Sequence, residues 1–323
     1  MTLSKKNPCR FKHFPVSFFS TILGLAGFTI ASQKFEHLFL PNAFLSTVIL
    51  TFTVLVFVLL SIFYSYKILK FKNEVKEEFD SPIKINFFPT FSISILLLSI
   101  AFLDVNLIIS RYFWIIGAIL HFIFTIKIVS IWIQHSKFEI THMNPAWFVP
   151  AVGNILVPVS GVTHASPEIS WFFYSIGLLF WIILLVIFFN RIIFHNPLPQ
   201  KLLPTLFILI APPAVGFISY IKLTENINEF SKFLYYFALF LVFLLFFQWK
   251  LFYKIKFYLS WWAYSFPIAA ITIASFLMFK GTNFLAFKFI FIGLYVILSI
   301  IISFLLIKTI IQIKNKAICV EED

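Results

Sequence analysis

The sequence predicts an all-α polytopic membrane protein: ten transmembrane helices, built as five helical hairpins in a quasi-fivefold arrangement, with the inner, odd-numbered helices around a central pore. Three observations predict this. The composition is extremely apolar, uncharged stretches of spanning length recur, and proline divides those stretches into two classes.

Composition sets the solvent. Of 323 residues, 61% are hydrophobic and 12% charged, against roughly 45–50% and about 25% in soluble domains. No fold in water could hide that much apolar surface, so the chain folds in lipid. Crossing about 30 Å of hydrocarbon takes about 20 apolar residues. Stretches of that order lie at 14–33, 43–66, 87–103, 108–133, 145–163, 169–190, 202–221, 233–249, 259–279 and 289–307. In lipid each must satisfy its own backbone hydrogen bonds, which makes it a helix.

The first stretch follows Lys5, Lys6, Arg10 and Lys12, a flank like that of a signal peptide. It is long, lacks a small-x-small cleavage pattern and precedes further spans, so it is expected to stay as an uncleaved helix. The longest loop is expected from Lys67 to Asn86, and the other connections are short. That leaves no room for a soluble catalytic or nucleotide-binding domain, and no Gly-rich phosphate loop occurs. The chain divides into an N-terminal tail (1–13), a ten-helix transmembrane channel domain (14–313) and a C-terminal tail (314–323). Cys9 and Cys319 lie in the tails, expected in a reducing compartment without a structural disulfide.

Basic residues orient the spans. With both termini in the cytoplasm, only Lys34, Arg111, Lys222, Lys232, Lys280 and Lys288 fall outside, leaving 19 of 25 lysines and arginines inside (25 − 6). The net charge of +12 is therefore a membrane signature and implies no nucleic-acid partner. The expected location is the inner (plasma) membrane of a prokaryotic cell, crossed many times.

Proline sorts the spans. Of 15 prolines, Pro8, Pro41, Pro82, Pro167, Pro197 and Pro199 are expected in tails or loops. The other nine, Pro15, Pro89, Pro145, Pro150, Pro158, Pro204, Pro212, Pro213 and Pro267, all fall in odd-numbered spans. Proline removes a backbone donor and kinks a helix. A membrane tolerates this where the helix is buried in protein or lines a cavity. Odd helices are thus expected inside and even ones outside. From the third span on, the odd starts step by about 57 or 58 residues, as a repeated hairpin would.

Small residues collect on the same helices. Pro15, Ser17, Ser20 and Gly24 mark the first span, and Pro89 the third. The fifth offers Pro150, Gly153, Asn154 and Val157; the seventh, Pro212 and Gly216; the ninth, Ala263, Phe266, Pro267 and Ala270. At helical spacing these are the pore-lining candidates. Small faces equally serve close helix packing, and pattern alone leaves both readings open.

Chemistry is sparse. Asp104, Arg111, Glu168 and Lys288 lie near span ends, where snorkelling explains them. His121 is buried in the fourth span without a second midplane histidine, and a hydrogen-bonded neighbour is its ordinary fate. No catalytic, metal-ligating or cofactor-holding cluster is evident, so an enzyme is not expected. No acidic ring lines the odd spans, which disfavours cation passage. Lys84, Lys137, Lys201 and Lys256 would make a basic cytoplasmic mouth.

Particular segments resemble a known family. THMNPAWFVPAVGNILVPVSG, from Thr141 to Gly161, resembles the fifth helix of the tellurite-resistance/dicarboxylate transporter family, which includes the plant slow-type anion channels. WWAYSFPIAAITIAS, from Trp261 to Ser275, is similar to its ninth helix. FPVSFFSTILGLAG (Phe14 to Gly27) and SPIKINFFP (Ser81 to Pro89) resemble its first helix and the approach to its third. The resemblance implies ten helices around a pore, a homotrimer with one pore per subunit, and a phenylalanine gate on the ninth helix, the place Phe266 takes. It implies small inorganic anions, chloride- or nitrate-like, as the solutes. From the residues alone Phe266 is one phenylalanine among 47. Where some relatives have Thr-Gly after the first helix's proline, this chain has Val16 and Ser17. The leading expectation is a gated passive anion channel. The alternative is a carrier or exporter of dicarboxylate, sulfite or tellurium oxyanions.

Overall fold

The computed structural model describes residues 10–41, 43–134 and 137–319, so Lys5, Lys6, Pro8 and Cys9 fall outside the described residues. Ten helices are long and apolar enough to cross a bilayer, and the chain is a multi-pass membrane protein. They are span 1 (Val16–Phe39), span 2 (Leu45–Lys70), span 3 (Lys84–Phe102), span 4 (Leu107–Gln134) and span 5 (Pro145–His164). Span 6 (Pro167–Phe194), span 7 (Gln200–Thr224), span 8 (Glu229–Phe247), span 9 (Leu259–Thr282) and span 10 (Leu285–Lys314) complete the set.

Burial separates them. The most apolar stretch of each odd span is 72–83% buried within the protein, and that of each even span 22–39%. Each odd span packs on the even span that follows it. Among themselves the odd spans touch in a closed order: span 1 meets span 3, span 3 meets span 5, span 5 meets span 7, span 7 meets span 9, and span 9 returns to span 1. The even spans turn large side chains such as Val48, Ile119, Val186 and Phe243 to the lipid.

Backbone geometry separates them as well. The even spans are continuous α-helices, whereas every odd span begins with or contains a 3-10 segment before it runs on as an α-helix. These segments are Val16–Phe19, Lys84–Phe87, Gly153–Leu156, Gln200–Ile210 and Leu259–Tyr264. Proline cannot donate to the i−4 carbonyl and its ring crowds that carbonyl, so the chain tightens locally. Side chains also donate to carbonyls three residues back. Ser20 Oγ donates to Ser17 O (2.6 Å), Thr90 Oγ1 to Phe87 O (2.5 Å) and Asn154 Nδ2 to Ala151 O (2.7 Å). Thr205 Oγ1 donates to Leu202 O (2.6 Å) and Ser265 Oγ to Trp262 O (2.6 Å). Each inner span carries such a bond, worth about 1 kcal/mol apiece.

Three sequence expectations are corrected. Lys67 to Asn86 is not a plain loop: a charged helix, Lys72–Asp80, occupies its middle. Pro167 is not in a loop but at the first turn of span 6, where its missing N–H costs nothing. Lys67 is not a solvated loop lysine, since its side chain is only 4% exposed.

Close approach of spans 5 and 6 depends on Gly177. A Cβ there would sit 2.8 Å from the Ile155 backbone nitrogen. Backbone cannot yield as a side-chain tip can, so Gly177→Ala is expected to cost about 1–3 kcal/mol through overpacking. A lowered unfolding midpoint in detergent checks this, and an unchanged midpoint would refute it.

Candidate functional site

Because an outer span returns the chain after each inner one, all five inner spans run in the same direction. Their N-terminal ends meet on one face, and a cavity of about 1120 Å³ opens there. Its wall residues recur every three positions. Span 1 contributes Ser17, Ser20 and Leu23; span 3, Lys84, Phe87, Thr90 and Ile93; span 5, Val149, Val152 and Ile155. Span 7 contributes Leu202, Thr205, Ile208 and Ala211, and span 9 Ser260, Ala263 and Phe266. A 3-10 helix has 3.0 residues per turn, so side chains at i and i+3 eclipse and form one straight track. The 3-10 segments thus set the mouthward part of the wall, and the α-helical continuations carry Leu23, Ile93, Val215 and Phe266.

The mouth is charged and braced. Lys67 Nζ, at the end of span 2, pairs with Glu78 Oε2 at 2.7 Å and donates to Phe14 O at 2.9 Å. Glu78 Oε1 accepts the Val16 N–H at 2.7 Å, and Tyr64 donates to its other oxygen at 3.2 Å. A carboxylate carried by helix Lys72–Asp80 therefore caps the first turn of span 1. Outside it, Lys12 pairs with Glu74 at 3.3 Å. The Glu74 carboxyl is held below its usual range, first by a backbone hydrogen bond at that residue and then by Lys12. Lys84 and Lys201 also line the mouth, together with Glu77 and the C-terminal residues Gln312, Ala317, Ile318 and Cys319. The expected basic mouth is instead one of mixed charge. Lys137 donates to Asp80 O at 2.9 Å, and neither Lys137 nor Lys256 lines the cavity.

Inward of the mouth, the described wall carries no ionisable side chain. Its hydroxyls turn their protons onto the backbone: Ser20, Thr90 and Thr205 bond the carbonyls three residues back, and Ser260 Oγ donates to Lys201 O at 2.5 Å.

Of the residues singled out by sequence, Pro15, Ser17, Ser20, Gly153, Pro212, Ala263, Phe266 and Pro267 come together on this wall. The others lie elsewhere. Gly24 faces Ser265 and Trp262 of span 9, and Gly216 faces Leu234 of span 8. Pro89 accepts from Ile93 N and Ser92 Oγ, Pro150 from Thr125 Oγ1, and Val157 from Trp114 Nε1. Asn154 bonds Thr125 Oγ1 at 2.9 Å, and Ala270 is buried. Gly24, Gly216, Pro150, Val157 and Asn154 thus meet neighbouring spans, the packing role that small and polar residues commonly serve in membranes, while the Pro89 carbonyl is bonded within span 3. His121 is fully buried, bonded through Nδ1 to Ser92 Oγ at 3.0 Å and packed against Gly153. Asp104 pairs with Lys34 at 3.1 Å.

Sequence reasoning missed the apolar wall residues Leu23, Ile93, Leu156 and Val215, and the Lys67–Glu78 pair. The period-three spacing in spans 1 and 3 was a signal for Leu23 and Ile93; nothing local signalled Leu156, Val215 or the ion pair.

Residues 13–310 match the family model described as SLAC1, voltage-dependent anion channel. An uncharacterized transporter of Methanocaldococcus jannaschii is 27% identical over 93% of this chain and 94% of its own length. A tellurite resistance protein TehA homolog of Haemophilus influenzae is 25% identical over 88% and 90%. The S-type anion channel SLAH2 of Arabidopsis thaliana is 29% identical over 81% of this chain, which spans about half of that longer protein (52%).

Proposed function

This chain belongs to the SLAC1 family of voltage-dependent anion channels, and from that premise we propose that it is a gated passive channel for small inorganic anions such as chloride or nitrate. The observation that carries this reading is the cavity's position at the N-terminal ends of five parallel inner helices. Each such end carries about +0.5 elementary charge from aligned peptide dipoles. Five of them around an uncharged, low-dielectric wall favour an anion without a fixed lysine, and among the described wall residues no carboxylate lies inward of the mouth. Phe266 is the gate in this reading: a large, partly exposed ring on the wall of span 9. Its ring lies against span 1, where a Cβ on Gly27 would be 3.4 Å from Cδ2. The proposal includes five hairpins in quasi-fivefold order and a homotrimer with one passage per subunit. It also places the cavity mouth and both termini in the cytoplasm, at the plasma membrane.

Planar-bilayer recording across a potassium chloride gradient tests this. The current should reverse near the chloride equilibrium potential. Reversal near the potassium potential would refute anion selectivity. Permeability is expected to rise from fluoride to chloride to nitrate, because an apolar barrier penalises strongly hydrated ions.

A cavity open on one face and closed beyond also suits a carrier of larger oxyanions, dicarboxylate, sulfite or tellurium. Saturable, exchange-coupled uptake without unitary currents would favour that second reading.

A further inference from the structure

On every inner span the cavity wall ends in a bulky apolar side chain. The innermost wall residues are Leu23 of span 1, Ile93 of span 3, Leu156 of span 5, Val215 of span 7 and Phe266 with its neighbour Pro267 on span 9. Behind Leu23, Ile93 and Phe266 on the same tracks lie Ser20, Thr90 and Ala263, hydroxyl-bearing or small. The change from small to large thus occurs on spans 1, 3 and 9, while the track of span 5 (Val149, Val152, Ile155) is apolar throughout. Leu23, Ile93, Leu156 and Val215 keep only 4–9% of their surface exposed, and they belong to one contiguous apolar cluster against which Phe266 packs. The side chains also lean across helix boundaries. Phe266 reaches span 1 at Gly27, one turn beyond Leu23, and Ile93 Cδ1 would sit 2.8 Å from a Cβ on Gly153 of span 5.

We propose that the barrier is a five-sided apolar collar of Leu23, Ile93, Leu156, Val215 and Phe266, so that Phe266 supplies only part of the closure. The inference rests on the channel reading of this cavity. Its physical basis is that a narrow ring of apolar side chains excludes water, and ions lose their hydration before they clear it. Removing one of five sides widens the ring but leaves four walls that still repel water. The hydroxyl tracks on the mouth side give way to the collar with no polar side chain among its five members.

The experiment measures chloride flux from proteoliposomes reconstituted with the full chain, its folding checked by size exclusion and thermal midpoint. The variants are Phe266→Ala, Leu23→Ala, Val215→Thr and the doubles that combine each with Phe266→Ala. Val215→Thr is the informative one, because it changes polarity at nearly constant volume and its hydroxyl would face the cavity. A collar predicts that Val215→Thr and Leu23→Ala each raise flux over the parent, and that each double exceeds Phe266→Ala by about threefold or more. Doubles that match Phe266→Ala, with single variants at the parental level, would overturn the collar and leave Phe266 as sole gate. If no folded variant conducts chloride, Phe266→Ala included, the channel reading falls and the collar with it. The two failures are therefore distinguishable.

Discussion

Replacing Phe266 by alanine should raise chloride conductance by about tenfold or more, equivalent to lowering the barrier by roughly 1.4 kcal/mol. The side chain is large, partly exposed to the cavity and set between Ala263 and Pro267 on the wall of span 9. Removing the ring opens space toward Gly27 of span 1 without exposing any charge. Fold disruption is expected to be small, because the ring borders a cavity and the loss adds to space already present. Single-channel recording before and after substitution checks the result. A well-folded Phe266→Ala protein with unchanged conductance would remove Phe266 from the closure. Phe266→Leu should fall between the two, since leucine keeps part of the apolar bulk.

Breaking the Lys67–Glu78 pair should cost more stability than any other single substitution at the mouth. Its side chains are 4% and 7% exposed, and Glu78 also holds the first N–H of span 1. Removing one partner leaves a buried charge uncompensated, a loss of about 3–5 kcal/mol in comparable sites. The water-accessible cavity beside the pair draws the expectation toward the lower end. Lys67→Met should lower the unfolding midpoint in detergent by several degrees. Glu78→Gln should lower it less, because a glutamine oxygen still accepts from Val16. The double variant Lys67→Met with Glu78→Gln should recover part of the loss, as neither charge is then orphaned. A midpoint for Lys67→Met equal to the parent's would show that the pair is stabilised elsewhere. Conductance of the same variants reports on function separately, since Pro15, Val16 and Ser17 of the braced turn all line the cavity.

Much of the architecture was legible in one dimension. Composition alone demands a lipid solvent, and spanning length counts the helices. Proline then separates inner from outer, and the burial of the two sets follows that division. The reasons are local: a helix in lipid must satisfy its own hydrogen bonds, and a proline that cannot do so needs protein around it.

The candidate site was legible only in part. Eight of the 15 marked residues lie on the cavity wall, and Pro15, Ser17 and Ser20 among them share one short stretch. The errors have a common cause. In span 1 the wall runs from Ser17 and Ser20 to Leu23, while Gly24, one position on, faces span 9. In span 5 Val152 and Ile155 line the cavity where Asn154 and Val157 do not, and in span 7 Val215 does where Gly216 does not. A side chain only one position away on a helix points about 100° elsewhere, so Gly24 and Gly216 became helix contacts and the unmarked Leu23 and Val215 became wall.

What the sequence determined by itself was therefore the solvent, the number of crossings and the identity of the inner helices, because each rests on the chemistry of single residues in lipid. The tertiary structure decided which face of each inner helix meets the cavity and which charges pair at its mouth. Lys67 and Glu78 meet only because the helix Lys72–Asp80 folds back over the start of span 1.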